Sequence, residues 1–140
     1  MTNADALDRR ATATASQYMG MVAWPTIVLG LVAGVFYLST VALTLAGHLS
    51  LWIAVPAVAV LTYVSYTILH ESVHGSITGT SRSLRWLNRA LGYMAAWITM
   101  IPMTAHRDEH VAHHRHANDA QRDPDFHVGR MLASPWAPVL

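Results

Sequence analysis

Three apolar runs dominate the chain, at roughly 21–46, 51–69 and 86–105, separated by short polar interruptions. The first two each approach or exceed the ~20 residues that cross a hydrocarbon core about 30 Å thick. No Asp, Glu, Lys or Arg occurs from Ala11 to His70. In lipid, a backbone satisfies its own polar groups only as a helix or a closed barrel. The pattern therefore predicts a transmembrane helical hairpin over 21–69, with Gly47-His48-Leu49-Ser50 as its turn. Pro25 falls in the opening turn of the first helix, where a missing N–H costs little, and Pro56 lies early in the second. A cleaved signal peptide fits poorly: the first run is too long, and no small-residue cleavage site leads into a soluble domain.

The third run, Trp86–Ala105, carries Asn88, Arg89, Gly92 and Pro102. A segment crossing the bilayer here would put its two polar flanks on opposite faces. One that lies along the interface or re-enters keeps them together. Trp86 and Trp97 suit an interfacial position, and an interfacial helix is the expectation. Arginines set the direction. Arg9 and Arg10 precede the first span and Arg82, Arg85 and Arg89 follow the second, while the turn has none. Both ends of the hairpin are thus expected in the cytoplasm.

The fold expected is an all-α, multi-pass integral membrane protein. It comprises a cytoplasmic tail (1–20), the hairpin (21–69), a cytoplasmic and interfacial segment with a histidine-rich helix (70–128), and the start of a further C-terminal half (129–140). Composition agrees. The chain is 53% hydrophobic and 12% charged, with a mean hydropathy of +0.29, which disfavours a small soluble domain. A net charge of +1, with nine scattered arginines as the basic residues, gives no case for nucleic acid. The absence of cysteine excludes thiolate-held zinc and iron–sulfur sites. A metal here would be held by nitrogen and oxygen.

Nitrogen is abundant. His70 and His74 close the second apolar run, and His106, His110, His113, His114 and His116 crowd into eleven residues further on. His70 and His74 are spaced i, i+4 and share a helical face. His110, His113 and His114 fall within an arc of about 100°. His116 points to roughly the opposite side, and His48 and His127 read as isolated polar residues. His106 is intermediate: it shares the stripe of His110, yet sits where a polar anchor is ordinary. Neutral imidazole is the commonest protein ligand for iron, zinc and copper. His70-Glu71-Ser72-Val73-His74 is also an H-E-x-x-H string, which in zinc peptidases supplies two ligands and a general base. That alternative leaves His110, His113 and His114 without a role.

Taken together, His70-Glu71-Ser72-Val73-His74-Gly75-Ser76 and the segment from Arg107 through His110, His113 and His114 to Asn118, with Asp123-Pro124-Asp125 following, resemble the first two histidine boxes of the membrane fatty acid desaturases. The resemblance covers roughly 25–125 and implies a non-haem diiron centre that uses O2 to remove hydrogen from an acyl chain. It implies His70, His74, His110, His113 and His114 as iron ligands, with Glu71, Asn118, Asp123 and Asp125 orienting imidazoles through their other nitrogen. It also implies electrons from a ferredoxin or cytochrome b5 type protein, and boxes on the cytoplasmic side. Lipid and carotenoid hydroxylases and ketolases share similar boxes and stay open as alternatives. The family's third box, H-x-x-H-H, is not among these 140 residues. The chain therefore reads as the N-terminal part of a longer enzyme.

Overall fold

A computed structural model describes residues 3–126, with side chains described from residue 6. Five α-helices follow one another: α1 (Asn3–Ser16), α2 (Trp24–Leu45), α3 (Leu51–His74), α4 (Arg85–Thr99) and α5 (Met103–His116), with one 3-10 turn at Ser76–Thr78. No strand occurs among the described residues. The chain divides into two compact units, the first ending at Met100 and the second beginning at Ile101.

In the first unit the hydrophobic pattern sets α2 and α3 as expected. Pro25 lies in the first turn of α2. Ser50 caps α3 by accepting a hydrogen bond from the Trp52 N–H (3.3 Å). Gly47, with φ +76° in open space, turns the chain between them. At about 1.5 Å per residue, 22 and 24 residues reach roughly 33 and 36 Å, enough for a hydrocarbon core. Both are long and apolar enough to cross a membrane, yet only 28% and 17% of their most apolar windows is buried. Val28, Leu31, Val35, Phe36, Val55 and Val60 point outward. A helix apolar on its outward side as well as its inward one suits lipid rather than water.

The helix boundaries add detail to the sequence segmentation in three places. α3 runs on past Leu69 through His74, because nothing in His-Glu-Ser-Val-His breaks a helix; Gly75, left-handed at φ 70°, ends it instead. The N-terminal tail, given no element from the sequence, contains α1. The run 86–105 is two elements, not one. α4 stops at Met100, left-handed at φ 57°, and Pro102 opens α5, because proline lacks an N–H and disfavours helix in the residue before it.

Close approach holds α2, α3 and α4 together. A Cβ on Gly30 would lie 3.1 Å from Leu91 and 3.6 Å from Ile68, so the three helices meet at this position. Further along, Val41 and Thr44 share a groove with Ala54 and Val55, so α2 and α3 run antiparallel. α4 keeps step with α2: Leu91 meets Gly30, Met94 meets Gly34, and Tyr37 packs edge-on to Trp97 at 6.0 Å. α4 therefore lies lengthwise against the other two helices, not across their ends. Ile27, Ala33, Ile68, Leu69, Leu91, Ala95 and Ile98 form the core.

A second fastening joins the approach to α2 with the chain just past α3. The Ala23 N–H donates to Ile77 O (2.9 Å) and the Thr80 N–H to Gly20 O (3.0 Å). Gly79, at φ +50°, presses against the backbone carbonyls of Gly20 and Met21, where a Cβ would collide. Gly79→Ala should therefore lower stability by more than the roughly 1–3 kcal/mol of left-handed strain alone. Gly47→Ala, strained but unobstructed, should cost about 1 kcal/mol. Thermal midpoints in detergent read the difference; equal losses would contradict this packing.

Candidate metal centre

Box one occupies the last turns of α3. His70 and His74 have ring centroids 4.8 Å apart at 66°, and their ligand atoms lie within 4.8 Å of each other. The i, i+4 spacing puts both on one face. Ser72, between them, is buried on the other and clasped to α4: Ser72 Oγ donates to Asn88 O (2.9 Å), and Asn88 Nδ2 donates to Ser72 O (3.0 Å). Beside the pair, Ser76 Oγ donates to Glu71 Oε2 (2.5 Å), and Glu71 Oε1 lies 3.5 Å from His70 Nδ1. A hydroxyl thus steadies a carboxylate facing a ring nitrogen.

Box two occupies α5, in the second unit. His110 Nε2 and His114 Nε2 face each other at 3.0 Å, and His110 is buried. His106 stacks on His110 (5.6 Å, 27°). His116 lies with Arg107, Val111 and Arg115 along another face of the helix. His48 is exposed in the α2–α3 turn, and His127 lies outside the described residues.

The loop after α5 is organised by one carboxylate. Asp123 Oδ1 accepts from His113 Nδ1 at 2.7 Å and from the Asp125 N–H at 2.9 Å. Asp123 Oδ2 accepts from the Asn118 N–H at 2.9 Å, with Asn118 left-handed at φ 67°. The hydrogen bond that His113 donates to Asp123 raises the His113 pKa; desolvation opposes it, and the charges of Asp123 and Asp125 add to the rise. Desolvation pushes the Asp123 pKa up, but the hydrogen bonds from His113, Asp125 and Asn118 outweigh it and hold the carboxyl low. With its Nδ1 proton engaged, His113 presents Nε2 as a lone-pair donor, the carboxylate–histidine arrangement common beside metals.

These donors fit a metal ion. Two nitrogens bound at right angles with bonds of roughly 2.1 Å lie about 3 Å apart, the spacing His110 and His114 already hold. The donor set is imidazole, which suits iron, zinc or copper. Glu71, Asn118, Asp123 and Asp125 all lie beside or near the boxes. Asp123 holds an imidazole directly, Glu71 faces one at longer range, Asn118 contributes its backbone N–H to Asp123, and Asp125 Oδ2 is 3.8 Å from His113 Nδ1. Sequence reasoning missed Ser72, Asn88 and Ser76. Asn88 was visible only as a polar interruption of an apolar run.

Over residues 46–140 the chain matches the fatty acid desaturase family, a stretch that takes in both histidine groups. The chain belongs to that family of histidine-box oxidoreductases. It is similar to Beta-carotene 4-ketolase 3 of Haematococcus lacustris, at 33% identity over 100 residues. That alignment covers 66% of this chain and 29% of the ketolase, so the chain spans under a third of its relative's length. No solved structure matches it.

Asp123→Asn tests the clamp. The raised His113 pKa stabilises the metal-free loop fully below the ordinary 6.5 and loses that as pH rises through the raised value. The lowered Asp123 pKa adds stability above 3.8, lost as pH falls through the lowered value. The substitution should return His113 toward its ordinary pKa, seen by NMR titration, and weaken metal affinity by roughly 10–100-fold. Unchanged affinity would remove Asp123 from the metal's support.

Proposed function

We propose that this chain is the part of an O2-dependent membrane oxidoreductase that holds a non-haem diiron centre, with His70, His74, His110, His113 and His114 as ligands. The observation that carries the reading is the pair of His110 and His114 nitrogens set 3.0 Å apart in a chain of the desaturase family. Bound iron would supply the O2 activation and electron transfer that side chains cannot. The chain's own residues do the rest. Asp123 keeps the proton of His113 on Nδ1, leaving Nε2 to ligate, and Ser76 steadies Glu71 beside His70.

The substrate is a hydrocarbon dissolved in the bilayer, reached along the apolar faces of α2 and α3. Removal of two hydrogens from an acyl chain is the first reading: O2 becomes two waters, taking two electrons and two protons from the substrate, two electrons from an external donor and two protons from solvent. The ketolase relative favours a second: oxygenation of a carotenoid ring. The H-E-x-x-H peptidase alternative draws no support from a family match that takes in both boxes. The clustering of Arg9, Arg10, Arg82, Arg85 and Arg89 toward the box-one end supports a cytoplasmic placement of that end.

Membranes containing the enzyme that carries this chain, with a reduced ferredoxin or cytochrome b5 type donor, should yield an acyl product short of two hydrogens or an oxygenated carotenoid, read by mass spectrometry. His113→Ala with His114→Ala should abolish bound iron and both products. Iron content unchanged by these substitutions would sink the ligand assignment, and stoichiometric zinc in the unsubstituted chain would return the peptidase.

A further inference from the structure

α4 carries its charge at the end where charge of that sign is least welcome. Arg85 and Arg89 lie in its first two turns and Arg82 just before it, where the helix dipole is positive and cations are unfavourable. All three are exposed, and among the described residues none takes part in an ion pair. No acidic residue occurs between Glu71 and Asp108.

Along the same outward face the character changes with depth. Trp86, Tyr93 and Trp97 are 64%, 59% and 61% exposed, and Met100 is 83% exposed. A helix lying flat at an interface keeps a charged face and an apolar face along its whole length. On α4 the gradient runs along the axis instead. The helix also lies lengthwise against α2 and α3, so its later turns sit at the level of Tyr37, well inside α2. Tyr18 and Trp24, exposed near the Gly20–Thr80 fastening, add aromatic residues at the charged end, as at a headgroup layer.

We propose that the Arg82–Arg85–Arg89 stripe binds the phosphate groups of anionic phospholipids, and that α4 descends from there into the bilayer. This rests on reading α2 and α3 as membrane-spanning. Guanidinium forks match phosphate oxygens bidentately. An acidic protein would complement the charge equally, but the passage from arginine through tryptophan to methionine along one face fits a lipid leaflet.

The test reconstitutes the full chain in phosphatidylcholine vesicles containing phosphatidylglycerol, with either lipid carrying brominated acyl chains that quench tryptophan. The unsubstituted chain should prefer brominated phosphatidylglycerol, each arginine contributing roughly fivefold. R82Q/R85Q/R89Q should lose that preference with its circular dichroism unchanged, and R85Q alone should lose part of it. An unchanged preference overturns the proposal, as does an unchanged preference accompanied by weakened binding of an acidic electron donor. In single-tryptophan variants, bromines near the chain ends should quench Trp97 more than Trp86; equal quenching overturns the descent of α4. Release of the chain by alkaline carbonate would remove the spans themselves, a failure distinct from loss of lipid preference.

Discussion

The continuity of α3 from its apolar run into the histidine pair is the constraint on which the first unit depends. One helix runs from a lipid-compatible segment straight into the histidine pair, with no loop between them. Helices are the only open structures that satisfy every backbone group in hydrocarbon, so the apolar run fixes the form of the segment. Continuation past Leu69 then fixes where box one lies and which face it presents. Gly75 ends the helix one residue after His74, so both imidazoles stand on a rigid turn. The Ser72–Asn88 clasp ties that turn to α4 on the side away from the histidines.

Rigidity of this kind matters because a metal site depends on preorganised ligands. Box two follows the same logic by different means. His110 and His114 are set by helix periodicity alone, whereas His113 is held by a carboxylate itself pinned by two backbone N–H groups. The Asp123 carboxylate is therefore both a loop organiser and a support for an imidazole. Both histidine groups fall within the stretch that matches the desaturase family.

Much of this was legible in the sequence because it rests on periodicity. The two long apolar helices follow from run length, and the His70/His74 and His110/His114 pairs follow from four-residue spacing. What spacing could not show depends on contacts between distant positions. Ser72 and Asn88 are sixteen residues apart, and His113 and Asp123 are ten. The division of 86–105 into α4 and α5 was signalled by Pro102, but a composition window averaged across it. The direction of α4 was equally invisible, because it depends on Gly30 and Gly34 admitting Leu91 and Met94 at close range.

The central proposal is that His70, His74, His110, His113 and His114 are iron ligands. X-ray absorption of the iron-loaded chain tests it most directly, through the imidazole scattering around iron. The account predicts that H70A/H74A and H110A/H114A each diminish that imidazole signal. An imidazole shell left intact by the α3 substitutions would contradict it.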